Sequence, residues 1–412
     1  MARTTRKTTT AGKTKKNGGK TLASLILVVL LLIGDFVYTK LPAQNGDASE
    51  KRSSIIETIL QYLVESNEVV NEEDKKPNSD TPIENNDINE TGVIDKREEY
   101  TSDKLIVYFF DVGQADAILL MLGDEVMLVD TGNAGDAQTT DKLVKGNINL
   151  TRELKRLGIT KIDKLVLTHA HEDHMGSAYK IINAFEVVDL YATALLPEEE
   201  WTNYYRRFVE AIENSNTHLI SPTTLSEKEI KAKVEEYNST LSEDEEMLVY
   251  NPSDYIRIGD VIPFGTAMVT MIAPASAEYS DTNDYSIVLM VEFEGVKLLL
   301  TGDAGEKSEE EILKFASDNN FDLNCDILKV GHHGSRTANT EEFIAAVKPE
   351  YSIVMVAEGN SYGLPDEDVY ERLLRYGTVI YETMSKGDIK LVIDNGEYEF
   401  DFSYSHEEKT EE

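Results

Sequence analysis

The stretch THAHEDHMG at residues 168–176 directly follows the apolar run KLVL, which predicts a buried strand that ends where the stretch begins. His169 and His171 are two positions apart, so on an extended backbone their side chains project to the same side. Asp173 and His174 follow on the turn toward a predicted helix. Four side chains able to bind metal therefore fall within six residues. Borderline divalent metals prefer this set of nitrogen and oxygen ligands, so the stretch predicts a metal site.

Two later strand ends carry residues of the same kind. The run LLTGD ends at Asp303, and KVGHHGS contains the adjacent histidines His332 and His333. A Thr-Gly-Asp turn alone is a common way to begin a helix, but beside two histidine clusters it predicts that Asp303 bridges two ions roughly 3.5–4 Å apart. Adjacent side chains point in different directions, so we expect one of the two histidines to bind metal. The position of His332 directly after Gly331 favours His332, with His333 facing the substrate.

Around these motifs, residues 103–404 alternate short β-branched runs with helical patterns. Strands in two batches with helices outside them predict a layered α/β sandwich. Residues 223–250 are strongly charged and interrupt this alternation, so we expect a surface insertion there. Residues 405–412 read as an acidic tail.

Composition excludes several classes of protein. The chain has 412 residues, of which 41% are apolar, enough for a folded core rather than a disordered chain. The single cysteine, Cys325, excludes an intrachain disulfide framework and a cysteine-based zinc finger. The net charge is −36, and because the first 20 residues carry seven cations and no acid, the rest sums to −43. A body this acidic lacks the electrostatic surface that grips a polyphosphate backbone.

The N-terminal region predicts export. Residues 1–20 are basic and residues 21–39 are almost wholly apolar, long enough at about 1.5 Å per residue to cross a thin bilayer. The basic side should stay in the cytoplasm, which places the rest of the chain outside the cell. No small-residue cleavage site follows the apolar run, which favours an uncleaved single-pass signal anchor over a cleaved signal peptide and secretion. Residues 40–102 are predicted to form a partly disordered stalk.

Residues 104–400 resemble the metallo-β-lactamase-fold hydrolases, and among them the metallo-β-lactamase domain of the ComEC/Rec2 competence proteins. The segments that carry the resemblance are FFDVGQADAILL, LVDTG, LVLTHAHEDHMGSA, NDYSIVLMVEFEGVKLLLTGDAG and DILKVGHHGSRT. Together they are highly specific, whereas singly only HAHEDH is. The resemblance implies a four-layer αββα sandwich, two divalent metal ions (zinc or manganese) and a metal-dependent hydrolase.

The resemblance also implies roles for single residues. Asp173 and Asp303 are expected to be catalytic as well as metal-binding, and Asp130 in LVDTG to orient a metal-ligand histidine from behind. Residues expected to contact the substrate or support the ligands are Asp111, Asn283, His333 and Ser335. The full expected ligand set is His169, His171, Asp173, His174, Asp303 and His332.

Three departures from the family pattern stand out. The fold usually has a further histidine between the first cluster and the bridging aspartate, and here only His218 is available, which we expect not to be a ligand. The first ion would then be held by His169, His171, Asp303 and solvent, and bind more weakly. A stretch that commonly contains two histidines has Leu364 and Asp366 instead, and Ala115 replaces a usual glycine.

These observations leave several functions open. The first is a membrane-anchored extracellular phosphodiesterase or nuclease that uses a metal-activated water on DNA or on a cell-wall polymer. Ser335 and Arg336 are then candidates for holding an anionic leaving group. The second is a lactone, lactam or thioester hydrolase, because fold does not determine the substrate. The third is a non-catalytic surface binding module whose metal site has decayed. No protein partner is predictable.

Overall fold

The structure is a computed structural model, and it describes residues 103–134, 149–193, 202–239, 241 and 247–403. The predicted basic tail, signal anchor, stalk and acidic C-terminal tail lie outside these residues. Within them, no helix is both long and apolar enough to cross a membrane.

Within the described residues, nine strands form the first sheet, in which antiparallel strands lie on one side and parallel strands on the other. The spatial order is β16-β15-β1-β2-β3-β4-β5-β6-β7, antiparallel from β16 to β3 and parallel from β3 to β7. The bounds are β1 Leu105–Phe109, β2 Ile118–Leu122, β3 Glu125–Val129, β4 Lys161–Leu167, β5 Glu186–Ala192, β6 His218–Pro222, β7 Tyr255–Ile256, β15 Ile389–Asp394 and β16 Glu397–Phe402.

Seven strands form the second sheet, in the order β14-β13-β12-β11-β10-β9-β8. Strands β8 to β11 pair antiparallel, and β11 to β14 pair parallel. The bounds are β8 Val261–Phe264, β9 Ala267–Ala273, β10 Val288–Phe293, β11 Val296–Leu300, β12 Ile327–Lys329, β13 Tyr351–Val354 and β14 Val379–Glu382.

The helices pack on the outer faces of both sheets. Helices α1, α3 and α4 cover the first sheet, and α6, α7 and α8 cover the second. The bounds are α1 Leu150–Arg156, α2 Glu172–Met175, α3 Ala178–Ala184, α4 Asn203–Glu213, α5 Glu227–Asn238, α6 Glu306–Asn319, α7 Glu341–Val347, α8 Glu367–Arg375 and α9 Thr383–Lys386.

Strand β1 shows why the sheets stack face to face. All five of its residues are buried, and alternate side chains enter different cores because successive residues of a strand point to opposite faces. Leu105 and Val107 lie between the two sheets, whereas Ile106 and Tyr108 lie under the helices. Burying each large apolar side chain stabilises the fold by about 1.5–3 kcal/mol. The four-layer αββα sandwich is therefore confirmed, while the domain limits 103–404 stay a prediction.

The charged segment 223–250 contains a helix of its own. Ser226 caps α5 through a capping box with Glu229, in which each side chain contacts the other's backbone N–H. One face of α5 buries Ile230, Val234 and Tyr237 in a small separate cluster. The segment thus carries its own apolar contacts, and most of the charged side chains of α5 are exposed.

Candidate metal centre

The residues of the predicted site lie at the carboxyl ends of parallel strands in both sheets. In the first sheet, Asp130 follows β3 and the HAHEDH stretch follows β4; in the second, Asp303 follows β11 and the two histidines follow β12. Each pair of strands is adjacent and parallel, so their carboxyl ends meet at one edge. A backbone hydrogen bond from Ile287 N–H to Thr168 O, 2.9 Å, joins the two sheets at this edge. Segments more than 150 residues apart in sequence, such as Asp173 and His333, are thereby brought into contact.

Four side chains converge with spacings that suit one metal ion. His174 Nε2 lies 3.2 Å from Asp303 Oδ1 and 3.9 Å from Asp173 Oδ2. His333 Nε2 lies 3.3 Å from Asp173 Oδ2 and 3.6 Å from Asp303 Oδ2. A tetrahedral ion with bonds of about 2.0–2.2 Å separates its ligand atoms by roughly 3.3–3.6 Å. We call Asp173, His174, Asp303 and His333 the four-residue group.

Both histidines of this group are held in the orientation that metal binding needs. His174 Nδ1 lies 2.7 Å from Asp130 Oδ2, and His333 Nδ1 lies 2.8 Å from the backbone O of Met355. Each oxygen accepts a hydrogen bond from Nδ1–H, an arrangement that directs Nε2 at the other ligands. Asp130 is fixed in turn by the backbone N–H and hydroxyl of Thr168, which donate to it at 2.8 and 2.7 Å.

The residues present fit a divalent cation. Among the described residues, His174 Nε2 and Asp303 Oδ1 make no hydrogen bond of ordinary geometry, although both atoms are buried and lie 3.2 Å apart. Buried polar atoms are normally paired, because leaving one unpaired costs about 1–3 kcal/mol. A cation between them satisfies a nitrogen lone pair and a carboxylate oxygen at once. The set of two imidazoles and two carboxylates is one that zinc and manganese accept.

Electrostatics keep the carboxylates of the group ionised. Burial raises the pKa of Asp303, but the charges on His174 and His333 outweigh burial and hold the pKa well below its usual value. Burial likewise lowers the pKa of His174, yet Asp303 and Asp130 outweigh it and hold that pKa well above its usual value. Ionised carboxylates are the form that binds metal, and a bound cation displaces the proton from His174.

A second pair of nitrogens lies beside the group. His169 Nε2 and His171 Nδ1 are 3.0 Å apart, and we call these two residues the histidine pair. The rings of His169 and His174 lie 4.2 Å apart, centre to centre, so the pair adjoins the four-residue group. Burial, aided by the nearby His174, lowers the pKa of His169 well below its usual value, which favours the neutral imidazole that binds metal. Ser286 Oγ lies 3.4 Å from His169 Nδ1 and accepts from Asp303 N–H at 3.1 Å, linking both.

Of the two adjacent histidines, the structure places His333 rather than the expected His332 in the four-residue group. His333 is 2% exposed and faces the four-residue group, whereas His332 is at the rim. The Nδ1 of His332 contacts Thr337 Oγ1 at 2.9 Å, and although its Nε2 lies 3.7 Å from Asp303 Oδ2, His332 is not in the group whose ligand atoms all lie within 4.8 Å of one another. The physical reason is the turn after β12, where both histidines have positive φ angles of 48° and 53°, so the second side chain points inward.

Three further predicted residues contribute no atom to the four-residue group or to the histidine pair. Asp111 N–H donates to Asp388 Oδ1 at 2.8 Å, after the end of β1. Asn283 is buried in a short 3₁₀ turn, Thr282–Tyr285, whose backbone leads to Ser286. The Oγ of Ser335 lies 3.0 Å from that of Thr337, in the loop beyond the histidines. These contacts shape the loops around the centre, and none of the three belongs to the groups of potential ligands found in the described residues.

Two residues of the centre were not predicted. Lys329 is 0% exposed, and its Nζ lies 2.5 Å from Asp116 Oδ2 and 3.7 Å from Asp303 Oδ1. The signal for Lys329 is a lysine inside the apolar run DILKV, since lysine is almost never fully buried unless it is paired. Asp116 had no comparable signal, because its partner is more than 200 residues away in the sequence.

Comparison with known proteins adds a family and several relatives. The model of a family described as the metallo-beta-lactamase superfamily matches residues 110–357, a span that contains every residue of the four-residue group and the histidine pair.

Three curated relatives match a similar portion of the chain. ComE operon protein 3 of Bacillus subtilis (strain 168) is 26% identical over 69% of this chain and 32% of its own length. Recombination protein 2 of Haemophilus influenzae is 25% identical over 68% of this chain and 28% of its own. Competence protein ComA of Neisseria gonorrhoeae is 25% identical over 73% of this chain and 34% of its own. The chain thus spans about a third of the length of these relatives, and the resemblance to the competence proteins is confirmed.

Proposed function

The chain belongs to the metallo-beta-lactamase superfamily, and we propose that it is a metal-dependent hydrolase that cleaves phosphodiester bonds outside the cell. One observation carries the proposal: four side chains, with nitrogen–oxygen distances of 3.2–3.9 Å between their histidines and carboxylates, lie at a strand edge that solvent reaches. His171 is exposed and the side chain of Asp173 is 31% exposed, so a substrate has access to the ligands. Metal sites that serve hydrolysis keep such an open side, whereas structural sites are closed.

The two carboxylates of the four-residue group are assigned different roles in hydrolysis. Divalent ions bound here supply activation of a water molecule and neutralisation of the charge that develops in the transition state. Asp303 is 1% exposed and lies between His174 and His333, which makes it the carboxylate that holds the ions. Asp173 is the carboxylate closer to solvent, and we assign it the transfer of the proton released by the attacking water.

The names of the relatives and the charge of this chain point to different substrates. Two relatives are named for recombination and competence, which supports DNA as the substrate. The net charge of −36 opposes a tight grip on DNA. Arg336, the cation beside the histidine turn, forms an ion pair with Asp366 Oδ1 at 2.5 Å. We therefore keep a cell-wall phosphodiester as the alternative polymer within the same reaction class.

The Arg336–Asp366 ion pair also favours a second candidate. A lactone, lactam or thioester has no phosphate, so its hydrolysis needs no free cation at the rim. The third reading, a binding module with a decayed metal site, is weakened by the convergence of Asp173, His174, Asp303 and His333 and by the hydrogen bonds that orient the two histidines. We propose that the predicted anchor at residues 21–39 holds the enzyme at the cell surface.

The test is an assay of the purified chain in detergent with manganese or zinc. Single-stranded DNA, a small chromogenic phosphodiester and a chromogenic lactone are offered in parallel. The inactive control is His171→Ala combined with Asp173→Ala. His218→Ala is the matched control for loss of a histidine, because His218 lies on β6 with its ring nitrogens 3.1 Å from Asp189 and 2.9 Å from Asp254.

The outcomes separate the candidates. DNA cleavage that disappears in the double variant and persists in His218→Ala supports a nuclease. Cleavage of the small phosphodiester alone supports an enzyme of cell-wall or small phosphodiesters. Lactone hydrolysis without phosphodiester cleavage sinks the proposal and moves the assignment to the second candidate.

A further inference from the structure

Lys329 and Asp116 form an ion pair that lies behind the metal centre. Both side chains are buried, at 0% and 1% exposure, and Nζ of Lys329 lies 2.5 Å from Asp116 Oδ2. Removing a lysine and an aspartate from water costs more free energy than their mutual attraction supplies, unless the geometry of the pair is very good. Apolar residues of similar size would fill the same space with less penalty, so the pair needs an explanation beyond packing.

The pair joins the chain segments that supply the metal ligands. Lys329 Nζ donates to the backbone O of Gly302 at 3.0 Å, directly before Asp303. Asp116 N–H donates to the backbone O of Asp173 at 3.1 Å, and Asp116 O accepts from Gly132 N–H at 2.8 Å, two residues after Asp130. The backbone of Asp116 therefore contacts the turn of Asp173 and the segment after Asp130, and the ion pair connects this backbone to the turn of Asp303.

The pair also faces the ligands themselves. Lys329 Nζ lies 3.7 Å from Asp303 Oδ1, on the side of the carboxylate away from His333. Asp116 Oδ1 lies 3.5 Å from His333 Nδ1, and Asp116 Oδ2 lies 3.9 Å from His174 Nδ1. The carboxylate of Asp116 thus sits behind both imidazoles whose Nε2 atoms face the metal position. The two Nδ1 atoms are hydrogen-bonded to Asp130 and to the backbone O of Met355, so Asp116 acts on the rings through its negative charge, which raises their basicity.

We propose that the Lys329–Asp116 pair positions the four-residue group for metal binding, holding Asp303 from one side and the two histidines from the other. These are positioning residues: they act through the ligands and touch no substrate. The inference rests on the proposed metal site but not on the proposed substrate. We therefore expect the pair to increase the affinity of the four-residue group for a metal ion, whichever bond the enzyme cleaves.

The experiment measures metal binding without substrate. The full chain in detergent is stripped with a chelator and dialysed against a series of free manganese or zinc concentrations, and bound metal per chain is counted. The variants are Lys329→Met, Asp116→Asn and the two combined, because the double variant removes the pair without leaving one buried charge unpaired. Lys164→Met is the matched control, since it removes a partly buried ion pair with Asp189, 2.6 Å, on β4 outside the centre.

We expect Lys329→Met and the double variant to bind metal about 10–100-fold more weakly, as loss of partners behind the ligands does in other metal sites. Thermal unfolding of the metal-free double variant should stay close to that of the parent, and Lys164→Met should bind metal normally. Where a single variant does not fold, the double variant decides. Metal affinity unchanged in a folded double variant overturns the inference, as does a fall in metal-free stability with unchanged affinity. Weakened metal binding in a chain that cleaves no phosphodiester leaves the inference standing and removes only the proposed function.

Discussion

The four-residue group and the histidine pair offer similar ligand atoms but differ in what holds them. In the group, Asp130 and the backbone O of Met355 fix the tautomers of His174 and His333, both of which are buried. In the pair, His171 is exposed, and the closest partner of its Nδ1 is His169 itself, at 3.0 Å. Preorganised ligands lose less conformational entropy on binding. We therefore expect an ion at the four-residue group to be held more tightly than an ion at the histidine pair.

The largest expected effect separates the two adjacent histidines. We expect His333→Ala to reduce hydrolysis by more than the roughly 100-fold that loss of an outer partner costs, because it removes a ligand atom. His332→Ala should keep activity within about tenfold, since the side chain of His332 is 26% exposed at the rim and is not one of the four converging residues. Initial rates at saturating manganese measure both. Equal losses of activity in the two variants would show that the turn after β12 does not make His333 rather than His332 the metal ligand.

The next effect tests how the group is fixed. In Asp130→Asn the amide keeps an oxygen for Thr168 N–H, but its NH₂ faces His174 Nδ1 and forces the proton to Nε2. Metal affinity should fall about 10–100-fold. The matched control is Asp254→Asn, which changes the partner of His218 outside the centre. Affinity that falls equally in both variants would assign the effect to general loss of a buried carboxylate.

A smaller effect concerns the number of ions bound. We expect His171→Ala to lower the stoichiometry by one ion while the affinity of the remaining ion changes less than about threefold, because the four-residue group keeps all its ligands. Equilibrium dialysis with metal counting measures this. In the parent chain, brief dialysis against a weak chelator should remove one ion before the other. Simultaneous loss of both ions would contradict the proposed difference between the sites.

The smallest effect lies at the rim beside the group. Asp366→Asn frees Arg336 from its ion pair and should raise affinity for single-stranded DNA about two- to fivefold at low salt, with a steeper loss of affinity as salt increases. Asp368→Asn is the control, because Asp368 lies 4.0 Å from Arg336 and is more exposed. A gain of similar size in both variants would indicate a general effect of net charge rather than the release of Arg336.

The local patterns predicted much of the fold and the position of the centre. The two batches of strands, the helices outside them and the HAHEDH stretch after β4 all follow from the period of apolar residues and from ligand spacing. These patterns did not predict which of His332 and His333 faces the group. That placement depends on left-handed backbone angles at two non-glycine residues, which the preferences of single residues disfavour.

The sequence by itself determined which side chains are available for metal chemistry and at which strand ends they occur. His169, His171, Asp173 and His174 are neighbours along the chain, so their grouping needs no tertiary contact. Only the tertiary structure decided that His333 joins them, that Asp130 and Met355 hold the rings, and that Lys329 and Asp116 lie behind. The physical reason is that these contacts join the two sheets across long stretches of chain. Their strength comes from burial and distance, which no local pattern of residues encodes.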